Sequence, residues 1–153
     1  MKAGKKFEDV ELFLDSGKRI QLNNISEQKT IIYFYPKDDT PGCTTEAIEF
    51  SKFNSQFKKI GVNVIGISKD SLEKHAKFKT KHNLSIDLAS DESGEVWLKF
   101  GVWVEKSMYG KKYMGIERST FLLDKDLKLI KEWRKVKVKG HVEEVFNFVS
   151  NLT

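Results

Sequence analysis

The chain is poor in cysteine: Cys43 is the only one among 153 residues. One cysteine excludes an internal disulfide framework and fits a reducing compartment, so we expect a cytoplasmic protein. Long apolar runs are also missing, and the first ten residues, MKAGKKFEDV, have no hydrophobic region of the kind that signal peptides carry. We therefore expect no membrane partner.

Histidine is scarce as well, and the three that occur are widely dispersed. Because they lack the spacing of metal ligands, we expect no metal site and interpret them as ordinary surface or capping residues: His75, His82 and His141. Acidic residues fall short of basic ones by only five, with Lys+Arg 27 and Asp+Glu 22. This mild excess is typical of solvated helix faces rather than of a strongly charged binding surface.

Two runs mix basic and aromatic residues, as nucleic-acid binders do: 106–112 and 133–141. In the second run Lys135, Lys137 and Lys139 alternate with valines, which is typical of a strand with one solvated face. We therefore expect no nucleic-acid partner.

The chain has enough apolar material for one packed domain over residues 1–153, with 39% hydrophobic residues, eleven Phe and three Trp. Periodicity and turn residues predict a hairpin at 7–22, strands at 31–35, 62–68 and 86–89, helices at 43–60, 70–81, 95–100 and 142–152, a loop at 103–115 and a hairpin at 119–136. This order predicts an α/β sandwich in which helices flank a central mixed β-sheet that begins with an N-terminal β-hairpin.

The segment 30–50 organises the rest of the chain. Residues 31–35, IIYFY, form a continuous β-branched and aromatic run, which predicts a central strand covered on both faces. Pro36 cannot donate to a ladder, so strand pairing should end there. The loop 37–42 contains Pro41, the other of the two prolines, and delivers Cys43 to the first turn of a helix.

Cys43 begins an apolar helical stripe with spacings of four, three, three, four and three, formed with Ala47, Phe50, Phe53, Phe57 and Ile60. Free backbone N–H groups and the helix dipole favour a thiolate at this position, whereas apolar neighbours oppose it. A buried cysteine without chemistry is the alternative. The loop-to-helix junction and the hydroxyl of Thr40, three residues earlier, favour a reactive sulfur.

These residues resemble a known family. Pro36-x-x-x-Thr40-x-x-Cys43 is similar to the signature of peroxiredoxins, and the string YPKDDTPGCTTEA resembles the peroxiredoxin Q class, also called bacterioferritin comigratory proteins. Arg118, in ERSTFLLD, resembles the second element of that family. The resemblance covers nearly the whole chain and implies a thioredoxin-like fold with the cysteine at the carboxyl end of a central strand.

The resemblance also implies roles for the site residues. Cys43 would be the peroxidatic cysteine, whose thiolate attacks a peroxide oxygen and becomes a sulfenic acid. Thr40 would hold the peroxide, Arg118 would stabilise the thiolate and the leaving oxygen, and Pro36 would shield the pocket from water. Glu46 is expected to orient Arg118 from the next helical turn, although an ordinary first-turn glutamate favoured by the dipole is the alternative.

One departure concerns the resolving cysteine that many members carry five residues after the first, because that position here is Ile48 and no later cysteine exists. The resemblance then implies a one-cysteine peroxidase for hydrogen peroxide and organic hydroperoxides, without metal, haem or flavin. An external thiol, such as thioredoxin, glutaredoxin or a small thiol, would reduce the sulfenic acid. We expect a monomer or weak dimer.

Two other functions differ in what they need from this sulfur. A thiol–disulfide oxidoreductase of thioredoxin type needs a second sulfur where Glu46 stands, so the sequence argues against it. A non-catalytic binding or chaperone domain on the same scaffold needs no reactive thiol and stays open. Core packing is the default for the aromatic residues of the 103–115 loop, with a place at the pocket rim as the alternative: Trp103, Tyr109 and Tyr113.

Overall fold

The structure, a computed structural model, describes residues 4–24 and 29–152. Seven strands form one mixed sheet: β1 (Glu11–Leu14), β2 (Arg19–Gln21), β3 (Lys29–Phe34), β4 (Val62–Ser68), β5 (Asp87–Ser90), β8 (Ser119–Asp124) and β9 (Leu129–Trp133). A separate antiparallel ribbon consists of β6 (Trp103–Met108) and β7 (Lys111–Ile116). The helices are α1 (Pro41–Lys59), α2 (Leu72–His82), α3 (Glu95–Phe100) and α4 (His141–Ser150), with a short 3-10 helix at Leu22–Asn24.

The sheet has the order β2-β1-β5-β4-β3-β8-β9. Strand β3 runs parallel to β4 and antiparallel to β8, so that Ile32 lies between Ile65 and Phe121. The segment 31–35 is at most 1% exposed, which confirms the prediction of a central strand covered on both faces. Neither edge of β3 is free, because both neighbours pair along its whole length.

Successive residues of β3 point into two different cores, as strand geometry requires. Ile31, Tyr33 and Tyr35 pack with apolar side chains of α1, α2 and α4 on one face of the sheet. Ile32 and Phe34 pack on the other face with α3 and with the segment around Phe7, whose ring stacks on Phe100 at 4.2 Å. Helix α1 therefore packs against the sheet on one side only, and its N-terminus lies at the carboxyl end of β3.

The prediction of a loop at 103–115 is wrong, because this segment forms the β6–β7 ribbon, which turns at Tyr109 and Gly110. The ribbon packs only at its base, where Trp103 stacks on Trp97 at 5.2 Å. Tyr109 is 98% exposed and Tyr113 is 44% exposed, so core packing is also wrong for these two residues. With most side chains solvated, the segment shows little of the alternation that predicts a strand.

Two boundaries near the C-terminus also differ from expectation. Strand β9 ends at Trp133, and the lysines from Lys135 onward lie in a connecting segment rather than a strand, although their exposure does alternate with that of Val136 and Val138. Helix α4 ends at Ser150, and Leu152, which was expected on its apolar face, lies beyond the helix.

The interpretation of the histidines as surface residues is wrong for two of them. His75 is 0% exposed and His141 is 4% exposed. Burial, helped by the Arg118 charge, lowers the pKa of His141 to about 4, so its ring is neutral near pH 7. Its Nε2 lies 2.8 Å from the Thr120 hydroxyl. His82 is partly exposed and lies 2.9 Å from Asp39.

Candidate active site

The N-terminus of α1 places Cys43 in the first helical turn. Thr40 is the N-cap residue with extended backbone, and Pro41 follows at the first helical position, where its missing N–H leaves no bond unmade. The Thr40 carbonyl accepts the first helical hydrogen bond from Thr44 N at 2.8 Å. Cys43 points inward, is 1% exposed and packs with Ala47 in the core beneath the helix.

Arg118 reaches the same place from the neighbouring strand. It immediately precedes β8, whose first residue, Ser119, pairs with Phe34 at the end of β3. The antiparallel register therefore brings Arg118 beside the loop that follows β3. Its Nη2 donates to Cys43 Sγ at 3.3 Å, and the same atom lies 3.2 Å from where a Cβ would stand on Gly42. A glycine at position 42 thus leaves the room that the guanidinium occupies.

Glu46 holds the other side of the guanidinium, since Arg118 Nη1 donates to Glu46 Oε1 at 2.6 Å. The glutamate is 0% exposed, so it is not the solvated first-turn residue of the alternative interpretation. Burial raises the pKa of Glu46 to about 7, although the Arg118 charge and hydrogen bond oppose the rise. Its second oxygen, Oε2, is buried and has no hydrogen-bond partner within residues 4–24 and 29–152.

Thr40 and Pro36 lie near this cluster without bonding to the sulfur. The Thr40 hydroxyl donates to the Lys37 carbonyl at 2.9 Å. Pro36 is half-buried and lies two residues after the end of β3. The structure therefore brings Cys43, Arg118 and Glu46 together, whereas the Thr40 hydroxyl is engaged within its own loop.

A buried network that the sequence did not reveal anchors this loop. The Asp38 carboxylate accepts from Tyr35 Oη at 2.6 Å and lies 2.7 Å from His75 Nδ1, while His75 Nε2 lies 2.9 Å from the Ala89 carbonyl. The Asp38 backbone N–H donates to Asp70 Oδ2 at 2.7 Å. We call Tyr35, Asp38, Asp70 and His75 the loop-anchor network. In the sequence the only indications of this network are Asp38 in a turn and His75 on a predicted helix.

The cluster at Cys43 has the parts that thiol chemistry requires. A fixed cation lies against the sulfur, and Cys43 stands in the first turn of α1, where backbone N–H groups have no partner within the helix. A guanidinium cannot lose its charge near neutral pH and offers two parallel donors to its partners. Within residues 4–24 and 29–152 no group of three or more His, Cys, Asp or Glu side chains is arranged to hold a metal ion. No helix in those ranges is both long and apolar enough to cross a membrane.

Comparisons with known proteins match this architecture. The model of the AhpC/TSA family matches residues 3–132. Peroxiredoxin Bcp of Bacillus subtilis is 49% identical over 150 residues, which cover 98% of this chain and 96% of the relative. Peroxiredoxin Bcp of Escherichia coli K12 is 40% identical over 149 residues, with 97% and 96% covered.

Solved structures agree. A Cys-to-Ser variant of Xanthomonas campestris peroxiredoxin Q superposes with a TM-score of 0.93 at 38% identity, with both chains covered completely. A structure of the bacterioferritin comigratory protein of the same organism, studied for its alkyl peroxide reduction activity, gives a TM-score of 0.91 at 38% identity, with 98% of each chain covered. The expected thioredoxin-like fold is confirmed. The chain belongs to the AhpC/TSA family and is a peroxiredoxin of the Bcp, or peroxiredoxin Q, class, which makes it a thiol-dependent peroxidase rather than a non-catalytic domain.

Proposed function

We propose that Cys43 reduces hydrogen peroxide and organic hydroperoxides by a one-cysteine mechanism that an external thiol completes. The observation that carries the proposal is the hydrogen bond of 3.3 Å from Arg118 Nη2 to the sulfur of the only cysteine. Support for organic substrates comes from the Xanthomonas relative, which was studied for alkyl peroxide reduction.

In the first step the Cys43 thiolate attacks the terminal oxygen of the peroxide. An S–O bond forms, the O–O bond breaks, and the departing alkoxide or hydroxide takes up a proton from water. The sulfur is oxidised by two electrons to a sulfenic acid, and the peroxide is reduced to an alcohol or water. Charge moves from sulfur to the departing oxygen, so Arg118, fixed beside both, lowers the barrier.

The remaining site residues assist this step. Thr40 positions the peroxide: its hydroxyl donates to the Lys37 carbonyl and keeps its lone pairs to accept the peroxide O–H. Pro36 shields the reacting atoms from water. Glu46 orients Arg118 through the bond of 2.6 Å to Nη1, which leaves Nη2 aimed at the sulfur.

The sulfenic acid is then reduced from outside, because the chain has no second cysteine. A first external thiol forms a mixed disulfide with Cys43 and releases water, and a second thiol displaces Cys43 and leaves as a disulfide. Thioredoxin, glutaredoxin and small thiols all fit this chemistry. The single free cysteine also fits a reducing cytoplasm, in which a one-domain monomer or weak dimer would act.

The test is peroxide consumption by the whole chain with thioredoxin, glutaredoxin or dithiothreitol offered in turn, beside a Cys43→Ser variant. We expect turnover with at least one thiol and only background rates for the serine variant, because a hydroxyl at neutral pH is a far weaker nucleophile than a thiolate. Mass spectrometry of the wild-type chain after peroxide, without thiol, should show oxygen added at Cys43. Turnover that survives the serine replacement, or a Cys43 left unmodified, would refute the proposal.

A further inference from the structure

Lys106 lies on the ribbon face that leads to the active site. It pairs with Tyr113 across the ribbon, and strand alternation places Val104 and Met108 on the same face. Strand β7 ends at Ile116, two residues before Arg118. The ribbon is therefore a direct extension of the segment that carries Arg118.

The Lys106 side chain is directed toward the base of the ribbon, not its tip. Its Cδ and Cε lie 3.3 and 3.5 Å from where a Cβ would stand on Gly115, and Gly115 pairs with Val104, nearer the base. The stem therefore lies over the bare backbone of Gly115 and carries the ammonium toward Arg118. A larger residue at position 115 would occupy that path.

Lys106 is also charged, half-buried and without an ion-pair partner among the described residues. Burial lowers the pKa of Lys106 and the Arg118 cation lowers it further, whereas the charges of Cys43 and Glu117 raise it. The Glu117 carboxylate is already held by Arg134, with Nε 3.0 Å from Oε1. By contrast, Lys112, whose position lies on the opposite face of the ribbon, pairs with Glu105 at 3.7 Å.

We propose that Lys106 is a second cation of the active site and that it makes the entrance to Cys43 select peroxides that carry a negative charge close to the O–O bond, such as small hydroperoxides that bear a carboxylate. The inference rests on the proposed role of Cys43. It names a substrate class within that reaction.

The physical basis is the positive field that Lys106 and Arg118 together create around the sulfur of Cys43, a residue that is 1% exposed. Such a field raises the local concentration of anions and leaves neutral molecules unaffected, and it weakens as salt is added. Removing the charge of Lys106 should lower the reaction rate at Cys43 by about three- to tenfold for an anionic reagent relative to a neutral one.

The first experiment probes the field without peroxide chemistry. Iodoacetate, an anion, and iodoacetamide, which is neutral, both alkylate the Cys43 thiolate with loss of iodide. We expect Lys106→Gln to lower the iodoacetate-to-iodoacetamide rate ratio by about three- to tenfold, Lys106→Arg to restore it, and added salt to narrow the difference. The matched control is Lys112→Gln, which removes an equal charge from the opposite face and should leave the ratio unchanged.

The second experiment uses two small tertiary hydroperoxides, tert-butyl hydroperoxide and 3-hydroperoxy-3-methylbutanoate, which carries a carboxylate near the O–O bond, with dithiothreitol as reductant. The wild-type chain should show a higher kcat/KM for the carboxylate, and Lys106→Gln should bring the ratio of the two kcat/KM values close to one. Circular dichroism checks that each variant is folded.

Two results would overturn the inference: an unchanged iodoacetate-to-iodoacetamide rate ratio in Lys106→Gln, as equal slowing of both reagents would give, or an equal change of that ratio in Lys112→Gln. Failure of the proposed function is distinguishable, because it would remove turnover of both peroxides in the wild-type chain and leave the alkylation ratio as a valid measure of the field.

Discussion

Two buried polar clusters lie on either side of the loop 35–40, and they differ in how completely their hydrogen bonds are satisfied. In the loop-anchor network both carboxylate oxygens of Asp38 and both ring nitrogens of His75 lie within 3 Å of a partner. In the cluster at Cys43, the part of the chain that the structure describes offers no partner to Glu46 Oε2 and one side-chain donor, Arg118, to the sulfur.

The difference separates a structural cluster from a reactive one. A fully satisfied buried network fixes one conformation, because every rearrangement leaves a polar group unpaired at low dielectric. A cluster with spare acceptors has capacity for a further donor, such as a substrate or a proton. The loop-anchor network should therefore govern stability, and the cluster at Cys43 should govern rate.

The largest effect should come from Arg118→Ala. Losing a donor that is aimed at developing charge should slow sulfenic acid formation by about 10²- to 10³-fold. Stopped-flow fluorescence or competition for peroxide measures this step directly. The rate of sulfenic acid formation in Arg118→Lys should lie between the rates of Arg118→Ala and the wild-type chain. Lysine keeps the positive charge, but it lacks the guanidinium fork that reaches both Cys43 Sγ and Glu46.

Arg19→Ala is the matched control, since Arg19 is exposed on strand β2 at the far edge of the sheet. It should leave the rate unchanged. If Arg118→Ala formed sulfenic acid as fast as the wild-type chain, Arg118 would have no role in the reaction. The cluster at Cys43 would then be structural, as the loop-anchor network is.

His75→Ala should act on stability instead. It leaves the buried Asp38 carboxylate without its imidazole partner and opens a cavity, which together should lower the free energy of unfolding by about 3–5 kcal/mol. Urea denaturation measures the loss. His82→Ala removes a partly exposed histidine from the same helix and should cost less.

For the comparison to hold, folded His75→Ala must form sulfenic acid far faster than Arg118→Ala. If the two variants were equally slow while fully folded, the loop-anchor network would be part of the catalytic apparatus.

Glu46→Gln should give the smallest effect, seen as a change in pH dependence. Burial raises the pKa of Glu46 from 4.5 to about 7, so folding favours the protonated carboxyl. The protonated carboxyl therefore contributes on the order of 3 kcal/mol to the free energy of unfolding. This contribution is fully present below about pH 4.5 and is lost as the pH rises through 7.

The glutamine variant should lack this decline, so unfolding free energies at pH 5 and pH 8 should differ less than in the wild-type chain. Glu49→Gln, on the same helix, serves as the control for removing a carboxylate and should retain the decline. A glutamine variant whose pH dependence matches the wild-type chain would show that Glu46 stays ionised throughout.

Most of the fold was predictable because its central elements have unambiguous periods. The strand at 62–68 and the short helix at 95–100 have the predicted bounds, since apolar runs and turn residues delimit both. The ribbon was not predictable, because its glycines, lysines and exposed aromatics are typical of loops. Its pairing depends on contacts between strands rather than on a buried face.

The candidate site was also predictable only in part. The resemblance to peroxiredoxins indicates both Cys43 and Arg118, and the sheet register explains why residues 75 positions apart meet. For Glu46 the sequence offered Arg118 as a partner beside the alternative of a solvated first-turn residue, whereas no partner of His75 could be assigned, because a lone helical histidine is usually solvated. Their burial here depends on Arg118 and Asp38, which come from distant parts of the chain.

Cys43 is 1% exposed and lies under the first turn of α1. This depth makes the sulfur easier to reach for a small reactant than for a large one, so the oxidation and reduction steps of the cycle differ in access. Hydrogen peroxide has only two heavy atoms, whereas a thiol on a partner protein arrives with a broad surface behind it. For a protein thiol we expect contact with the sulfur to require opening of the first turn of α1, a local fluctuation whose frequency depends on how firmly the turn is held. Mutations that rigidify this turn would therefore make the enzyme more durable and slower to recover after each oxidation.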